Sequence, residues 1–562
     1  MSVSDAVPGQ GPDIGPSTGL QQGSSAGENV SAQNHLGHRP GAGPVVSTTQ
    51  GKVRGFVDSL SGVRTWRGVP YGADTSGEHR FRAPRPAEPW IGIRECTDFA
   101  PPALQGTYGL TSKVIGTEDC LTLDVVRPDT DDVLPVVVYF HGGSFLMGSS
   151  YEKVLQGHNL SLSTNVVYIS VNFRLGVLGY LDLRSIGDDC VANPALRDQI
   201  LALQWVQDNA AAFGGDPDSV TIMGESAGGA SVISLMTAPS ARGLFHRAIA
   251  QSPPTGAVHS RLQAAWWATR LLDSMGMSRL SSLEELREVD ATELVRVGQA
   301  MVIRGGELMY LNSAYMPSVD GETVMQHPLD AFADGNQAQV PLILGTNSDE
   351  ASFAKAMYLR NKARTKAARR LLDVYDSANA QRVLQAYDNA ESRSDFAELL
   401  ADALFWAPTV SVASNHRFSA PTWMYRYDYA STAMQRLGLG AIHSSDLTAV
   451  FGAPGTTRAA RLDNILSNEG FDEVSERMQF HWGHFFHYGN PGPQWPAYGM
   501  RADEEPGRAT AVFNKESHIE YDPKAEKRRA WASFSMTEWG EGRHDLEARV
   551  AEFLGTVFEA AE

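Results

Sequence analysis

Apolar residues recur along this chain in two patterns, and each pattern predicts a different kind of element. Short runs that are continuously apolar, or that alternate between apolar and polar residues, predict strands. Longer stretches in which apolar residues return about every three or four positions predict helices. The predicted strands are 51–57, 121–127, 135–140, 166–171, 219–223, 247–251, 342–345 and 423–427. The predicted helices, with approximate bounds, are 194–213, 227–236, 261–275, 279–304, 351–375, 393–415 and 543–560.

Strands and helices alternate along most of the chain, which predicts an α/β protein with a mostly parallel central sheet and helices on both faces. The predicted helices outnumber the crossovers of such a sheet, so we expect some of them to form a cap over the functional site. Residues 66–71 and 80–84 are expected in a connection rich in proline and glycine. No linker divides residues 45–562, and we expect them to form a single domain. Residues 1–44 contain few apolar side chains and many turn formers, which predicts a flexible tail.

Composition and charge exclude several classes of function. The chain has 562 residues, of which 42% are hydrophobic and 20% charged, an ordinary globular composition. A net charge of −18 at pH 7 argues against binding to nucleic acid or to anionic lipid. We find no apolar run of about 18 residues and no secretory signal, so we expect a cytoplasmic protein without membrane insertion. The three cysteines, Cys96, Cys120 and Cys190, are few and odd in number, which fits a reducing compartment.

One short motif stands where a nucleophile is expected. Gly224-Glu225-Ser226-Ala227-Gly228 follows a predicted strand and precedes a predicted helix, the setting of a nucleophile elbow. The same G-x-S-x-G spacing also occurs around Ser17 and Ser25, with no strand before either serine and no helix after it. Ser226 is therefore the candidate nucleophile. A serine nucleophile needs a general base, an acid that orients the base, and donors for the oxyanion.

A glycine-rich loop follows the predicted strand 135–140. Its residues, His141-Gly142-Gly143-Ser144-Phe145, resemble the oxyanion loop of α/β hydrolases, where glycine lets backbone N–H groups approach the substrate oxygen. The less favoured interpretation is an ordinary glycine-rich turn.

The candidate base and acid lie later in the chain, because the order in this fold is serine, acid, histidine. His443 follows the last predicted strand and is the best candidate for the base. Asp349 and Glu350 follow an earlier strand, and the residues alone do not choose between these two acids.

A second group of histidines offers a different interpretation. His481, His484 and His487 have a spacing that would suit a metal site. No carboxylate or cysteine joins them at ligand spacing, and they end a helix rich in aromatic residues. We therefore expect no metal and no cofactor.

Taken together, these motifs resemble the type-B carboxylesterases, the family that includes cholinesterases and bacterial p-nitrobenzyl esterases. The similarity extends from Val53 to about Trp495, which is most of the chain. The matching segments are 67–71, 118–124, 141–143, 172–176, 198–199 and 213–221, the last of which leads directly into the elbow.

The resemblance implies an α/β-hydrolase fold and assigns roles to residues. It makes Glu350 the acid and His443 the base, and leaves Asp349 as a neighbour that supports the loop. It implies that the oxyanion-hole N–H donors are Gly143, Ser144 and Ala227. It further implies structural ion pairs Arg174–Asp198 and Arg80–Glu118, and a candidate disulfide between Cys96 and Cys120, with Cys190 unpaired.

Some residues depart from the family pattern. Ser144 stands where a third glycine is usual, and Ala351 also replaces a glycine. Pro253-Pro254 stands at another position where glycine is usual, which affects the expected shape of the acyl-side pocket. The loop between the first two cysteines contains Tyr108 but no tryptophan, so a choline site is not expected.

The sequence thus predicts a serine hydrolase of carboxylic esters that acts through an acyl-enzyme. We expect small to medium, largely apolar esters as substrates, and a monomer or weak homo-oligomer. One alternative keeps the same triad and changes the bond to an amide or a carbamate. A catalytically inactive adhesion-like protein is disfavoured, because Ser226, Glu350 and His443 are all present.

Overall fold

An eleven-stranded sheet crosses the protein in the computed structural model. The structure describes residues 43–107, 113–304, 311–358, 360–456, 469–499 and 507–537, which all belong to one compact unit. The strands are β1 (Val45–Ser47), β2 (Lys52–Arg54), β3 (Phe56–Val57), β4 (Arg64–Pro70), β5 (Ile93–Glu95), β6 (Gln105–Gly106), β7 (Val114–Ile115), β8 (Thr122–Arg127), β9 (Leu134–Phe140), β10 (Val167–Val171), β11 (Gly215–Glu225), β12 (Arg247–Gln251), β13 (Leu342–Asn347), β14 (Thr422–Tyr427), β15 (Ala509–Phe513) and β16 (His518–Tyr521).

The strand order of the main sheet is β16-β15-β14-β13-β12-β11-β9-β10-β8-β4-β3. The neighbours from β15 to β10 in this order are parallel, and the pairs at both margins are antiparallel. The predicted, mostly parallel sheet is therefore confirmed. Five further strands form two small separate sheets, β1-β2-β5 and β6-β7.

The sequence analysis was wrong about two parts of the sheet. Most of residues 66–71, expected in a connection, belong to β4 (Arg64–Pro70), which pairs with β8. The pairing of β4 with β8 has a bulge between Trp66 and Val69, and Gly68 in this bulge has a φ of 63°. Glycine weakens the sequence pattern of a strand, but here it allows the bulge within the strand. The sheet also continues beyond 423–427 through β15 and β16, which the sequence analysis did not predict.

The helices of the described residues lie between the strands along the chain. They are α1 (His158–Thr164), α2 (Gly176–Gly179), α3 (Pro194–Asn209), α4 (Ala227–Thr237), α5 (Arg261–Met275), α6 (Leu283–Glu288), α7 (Ala291–Arg304), α8 (Pro328–Ala333), α9 (Asn361–Asp376), α10 (Ala380–Gln385), α11 (Arg393–Ala401), α12 (Ala407–His416), α13 (Thr432–Arg436), α14 (Asp446–Val450), α15 (Phe471–Tyr488) and α16 (Ala525–Trp531).

Two predicted helices differ from the observed ones. The helix predicted over 279–304 is divided into α6 and α7, because Val289 between them has extended backbone angles. The helix predicted over 351–375 begins only at Asn361, after a short 3₁₀ turn at Ser352–Ala356. The helix predicted over 543–560 lies outside the described residues.

A π-helical turn, Asp402–Trp406, joins α11 to α12. Pro408, two residues after this turn, has a ring nitrogen without a hydrogen to donate to the preceding helical turn. The whole segment Arg393–His416 is long and apolar enough to cross a membrane by length and composition, but 78% of its most apolar stretch is buried inside the protein. It therefore packs as a core helix in the described structure.

Hydrophobic clusters cover both faces of the sheet, as the continuous apolar strands predicted. Along β9, Val136 and Val138 belong to one cluster, whereas Val137 and Tyr139 belong to the other. This alternation is expected for a central strand covered on both sides.

The two predicted ion pairs are present in the scaffold. The Arg174 guanidinium contacts the Asp198 carboxylate at 2.6 Å, and Arg80 contacts Glu118 at 2.7 Å.

All three cysteines are free thiols in the structure, so the candidate bridge between Cys96 and Cys120 is not formed in it. Burial raises the pKa of both thiols, that of Cys96 to about 12. Few thiolates are then available to form the bridge, and the pairing stays a prediction.

Candidate active site

Ser226 lies in the sharp turn between β11 and α4, with φ 56° and ψ −124°. Such a backbone conformation is strained for a residue with a side chain. The turn is closed by small neighbours: a Cβ at Gly224 would lie 2.5 Å from the carbonyl carbon of Gly228, and a Cβ at Gly228 would overlap the carbonyl oxygen of Phe140. The Ser226 N–H also donates to the Gln251 carbonyl at 2.9 Å. Backbone geometry thus fixes where the serine side chain begins.

His443 connects the serine to a buried acid. Its Nε2 lies 2.8 Å from Ser226 Oγ, and its Nδ1 lies 2.6 Å from a carboxylate oxygen of Glu350. The three side chains come from distant parts of the sequence: the elbow, the turn after β13, and the loop between α13 and α14. The structure therefore brings together the three residues singled out from the sequence.

Glu350, rather than Asp349, contacts the imidazole. The second carboxylate oxygen of Glu350 accepts hydrogen bonds from the Asn347 N–H at 2.7 Å and from the Ser252 hydroxyl at 2.5 Å. The Asp349 carboxylate instead accepts from the N–H of Ala441 at 3.3 Å. Asp349 therefore holds the loop that carries His443 without touching the imidazole.

The glycine-rich loop lies directly against the elbow. A Cβ at Gly142 would be 3.2 Å from the Ser226 Cβ. Gly143 and Ser144 have φ values of 114° and 56°, and the Gly143 carbonyl accepts from the N–H groups of Leu146 and Met147, further along the same loop.

This loop leaves backbone donors available. Within the described part of the chain, the N–H groups of Gly143 and Ser144 have no acceptor. Ala227 is the first residue of α4, where an N–H has no acceptor in its own helix. All three belong to the loop and elbow that meet at Ser226.

Glu225 contacts the base, and the sequence analysis did not single it out. It is buried, its carboxylate lies 3.3 Å from His443 Nε2, and it accepts the Ser444 hydroxyl at 2.6 Å. Burial raises the pKa of Glu225 to about 7, against the opposing effect of His443. Its place inside the elbow motif, next to Ser226, was the available signal.

The charge of His443 is set by opposing effects. Burial by itself lowers the pKa of the imidazole, but the carboxylates of Glu225 and Glu350 outweigh it and raise the pKa to about 9. An imidazole with this pKa is mostly protonated at neutral pH, so the carboxylates that stabilise the imidazolium also disfavour the neutral form that accepts the serine proton.

Asp446 is linked to the acid through Asn347, whose side chain donates to the Asp446 carboxylate at 3.4 Å and whose N–H donates to Glu350. Its carboxylate accepts from the Tyr425 hydroxyl at 2.7 Å and from the Gln251 side chain at 2.8 Å. Burial raises the pKa of Asp446, and these hydrogen bonds act in the opposite direction. The sequence offered no signal for this role beyond the position of Asp446 after the loop of His443.

Phe405 packs on the imidazole of His443, with ring centroids 4.5 Å apart and an angle of 26° between the planes. It belongs to the π-helical turn Asp402–Trp406. π-Helical turns are often found at functional sites, because they reorient single side chains. A phenylalanine in an apolar helix gave no sequence signal for this contact.

The three clustered histidines have structural partners. Ring nitrogens of His481, His484 and His487 lie 2.6, 2.7 and 2.8 Å from the carbonyl oxygens of Pro491, Asn490 and Thr164, respectively. A carbonyl only accepts, so each of these nitrogens carries a hydrogen and has no lone pair for a metal. Among the described residues, no group of three or more histidine, cysteine or acidic side chains is placed to bind a metal ion. Tyr108 lies outside the described residues.

A largely apolar cavity of about 30 Å³ includes residues close in sequence to those that hold the base, although Ser226, Glu350 and His443 do not line it. Pro254, two residues after Ser252, lines it, and so does Leu404, the neighbour of Phe405. Its other lining residues are largely apolar and include Ala257, Leu311, Leu371, Tyr375, Trp531 and Phe534. Of the segment Pro253-Pro254, which stands where the family pattern has a glycine, Pro254 forms part of a cavity wall.

In this site a serine, an imidazole and a buried carboxylate are joined by hydrogen bonds. The serine lies in a strand–turn–helix of a mostly parallel sheet. These two features define the serine hydrolases of the α/β-hydrolase fold. The Carboxylesterase family model matches residues 42–531, and the chain belongs to this family. The predicted fold class and the predicted activity, hydrolysis of carboxylic esters, are confirmed, and the chain is an enzyme.

Known relatives support the same assignment. The chain is 34% identical to the para-nitrobenzyl esterase of Bacillus subtilis over 496 residues, which cover 86% of this chain and 98% of the relative. It is 33% identical to liver carboxylesterase 1 of Oryctolagus cuniculus over 527 residues, covering 84% and 91% of the two chains. A solved PNB esterase superposes with a TM-score of 0.78 at 32% identity, over 87% of this chain and 99% of that one.

Proposed function

We propose that Ser226 is the nucleophile of this carboxylesterase, His443 its general base and Glu350 the acid that orients the base. The observation that carries the proposal is the pair of hydrogen bonds of His443, at 2.8 Å to Ser226 and at 2.6 Å to Glu350. Ser226 Oγ attacks the ester carbonyl carbon while its proton moves to His443 Nε2. The imidazolium then protonates the departing alcohol, and an acyl-enzyme remains.

The second half of the reaction uses the same groups. A water molecule gives a proton to His443 and attacks the acyl carbon, and Ser226 leaves with that proton as the acid is released. The N–H groups of Gly143, Ser144 and Ala227 stabilise the oxyanion of both tetrahedral intermediates. Their lack of acceptors within the described part of the chain supports this role. No step of this mechanism requires a metal or a cofactor.

The preferred substrates in this proposal are small to medium esters with a largely apolar acyl or alcohol part. The apolar cavity lined by Pro254 and Leu404 supports this preference, because these residues are close in sequence to Ser252 and Phe405, which contact Glu350 and His443. Turnover of p-nitrophenyl esters of rising chain length, beside matched amides and carbamates, tests the preference.

The nucleophile is tested by the Ser226→Ala variant. Loss of a triad nucleophile lowers kcat by about 10⁶, and the smaller alanine leaves the elbow intact. The measurement is hydrolysis of p-nitrophenyl butyrate, with circular dichroism to verify folding. A matched control is Ser25→Ala, which removes the serine of a second G-x-S-x-G match and should retain full activity. A variant at position 226 that kept a tenth of the wild-type rate would contradict the assignment.

We also propose that the enzyme works in the cytoplasm, as a monomer or weak homo-oligomer, without a nucleic-acid or membrane partner. The net charge of −18 supports the last point, because it disfavours phosphate backbones and anionic lipid surfaces. Light scattering over a range of protein concentrations tests the oligomeric state, and cell fractionation tests the location.

In the predicted domain organisation, residues 45–562 form one catalytic domain and residues 1–44 a flexible tail, but the Pro44 carbonyl accepts hydrogen bonds from the Gly55 N–H at 3.0 Å and from Trp66 Nε1 at 3.3 Å, so residues 43 and 44 belong to the catalytic domain. Deletion of residues 2–42 should then change neither the turnover of p-nitrophenyl butyrate nor the melting temperature, because a tail of this composition has little apolar surface to bury. A fall of several degrees in melting temperature would mean that the tail packs on the catalytic domain.

A further inference from the structure

A second cavity, of about 260 Å³, lies between α12 and α16. Neither Ser226 nor His443 lines it. Its wall residues on α12 follow one face of that helix, and the opposite wall comes from α16 and the residues after it. The lining residues are Trp406, Ala407, Val410, Ser411, Ser414, Asn415, Arg508, Arg528, Trp531, Ala532, Phe534 and Met536.

One end of this cavity carries more positive than negative charge. Arg528 is paired with the Asp522 carboxylate through two contacts of 2.7 Å. Arg508 donates to the Ser414 hydroxyl at 2.8 Å and to the Tyr498 hydroxyl at 3.2 Å, and within the described part of the chain it has no carboxylate partner. Neutral partners leave its charge uncompensated.

A third arginine lies close to the same end. Arg417 donates to the Ser414 carbonyl at 3.2 Å. Burial and the positive charges of Arg508 and Arg528 lower the pKa of Arg417. Arg417, Arg508 and Arg528 thus lie close together at this end of the cavity, in a protein whose net charge is −18. An anion that bound there would relieve this repulsion.

The rest of the cavity is apolar and aromatic. Trp406 and Trp531 are buried and form part of its walls, together with Val410, Phe534 and Met536. Rigid aromatic walls beside a few polar groups at one end are typical of sites for small organic ligands.

We propose that this cavity binds an amphipathic monocarboxylate. The carboxylate accepts hydrogen bonds from the Arg508 guanidinium and from the hydroxyls of Ser411 and Ser414 at the charged end. The hydrocarbon part packs between Trp406 and Trp531. Arg is suited to this role because its planar guanidinium matches both oxygens of a carboxylate. The proposal does not depend on which residues carry out ester hydrolysis.

The test is a titration of the full-length protein with sodium decanoate, below the concentration at which decanoate forms micelles. Calorimetry reports binding, and tryptophan fluorescence reports it at this cavity through Trp406, because Trp531 also lines the first cavity. Decan-1-ol serves as the uncharged ligand of the same length. We expect decanoate to bind at least about tenfold more tightly than decan-1-ol, a difference of about 1.4 kcal/mol.

Three arginine variants separate charge from structure. Arg508→Gln should weaken decanoate binding at least about tenfold, whereas Arg508→Lys, which keeps the charge, should recover most of the affinity. Arg529→Gln is the matched control, because Arg529 is an exposed residue of the same helix as Arg528 and does not line the cavity. It should bind decanoate like the wild type. Equal affinity of the Arg508→Gln variant and the wild-type protein would overturn the proposal.

A fourth variant keeps the proposal testable if position 508 does not tolerate change. Ser411→Trp fills the cavity from a half-buried position on its wall and should abolish the decanoate response. A decanoate site that survives in this variant lies elsewhere, for example at the ester site, and the proposal is then wrong. Absence of any decanoate binding by the wild-type protein overturns it as well.

Discussion

The two sides of the active site are built in different ways. On the nucleophile side, Ser226 is held by its own strand, turn and helix, and Gly228 meets the neighbouring strand so closely that no side chain fits. On the base side, His443 lies in a loop whose contacts come from far along the sequence, namely Glu350 and Phe405. The nucleophile is thus positioned by local backbone geometry, and the base by tertiary contacts.

This difference has a consequence for mutational sensitivity. The backbone of the elbow tolerates few substitutions, but its geometry depends on few partners. The imidazole depends on several side chains, so its orientation and its pKa are each adjustable by single substitutions around it. Variants on the base side should therefore separate effects on proton transfer from effects on the fold.

The largest expected effect on the base side comes from Glu350. Glu350→Gln keeps the size of the side chain but removes the charge that orients and stabilises the imidazolium, and a loss of this kind lowers kcat by about 10⁴. Asp349→Asn should be mild, because Asp349 accepts from the Ala441 backbone and does not touch the imidazole. The measurement is kcat for p-nitrophenyl butyrate in both variants.

This pair of variants tests the comparison directly. If both substitutions lowered kcat equally, or if Asp349→Asn were the more severe, the loop contact would matter more than the contact to the imidazole. The melting temperature of each variant provides the control, because a general loss of structure would affect both measurements together.

The sequence predicted the nucleophile side better than the base side, for the same structural reason. Strand, glycines and helix around Ser226 are neighbours in the sequence, so a short motif contains nearly the whole geometry. The choice between Asp349 and Glu350 depends on which carboxylate faces a loop about 90 residues later, which no local pattern encodes. The resemblance to a known family supplied that choice, and the structure brings Glu350 to the imidazole.

The fold shows the same limit. Central strands such as β9 were predicted because both of their faces are buried and their apolar runs are continuous. Strand β4 was missed because the glycine at its bulge interrupts the pattern, although the bulge is part of the sheet. The contact of Phe405 with His443 was missed because it depends on the π-helical turn, which packing decides and periodicity does not.

The next effect concerns pH. His443 must be neutral to take the proton of Ser226, so activity rises with pH as the imidazole loses its proton. The carboxylates of Glu225 and Glu350 raise the pKa of His443 to about 9 against the effect of burial, which shifts this rise toward alkaline pH. Glu225→Gln removes one carboxylate and should move the rise in kcat/KM to lower pH by about 1–3 units.

A control distinguishes charge from hydrogen bonding in this prediction. Ser444→Ala removes the hydroxyl that donates to Glu225 at 2.6 Å but leaves the carboxylate in place. Its pH profile should therefore shift much less than that of Glu225→Gln. If the profile of the Glu225→Gln variant stayed in place, or moved to higher pH, Glu225 would not set the charge of His443.

The smallest expected effect comes from Phe405, the aromatic contact of the base. Phe405→Leu keeps an apolar side chain but removes the ring that packs 4.5 Å from the imidazole. Aromatic pairs contribute about 0.5–1.5 kcal/mol beyond burial, so kcat should fall about two- to tenfold. KM should change little, since in this account Phe405 holds the base and leaves ester binding unaffected.

Phe405→Tyr is the matched variant, because it preserves the ring and should retain most of kcat. The two variants together decide whether stacking or simple filling of space holds the imidazole. If Phe405→Leu lowered only the melting temperature and left kcat unchanged, Phe405 would be a packing residue of the π-helical turn. The orientation of His443 would then depend on Glu350 and its own loop alone, and the base side would rely on fewer tertiary contacts than the structure indicates.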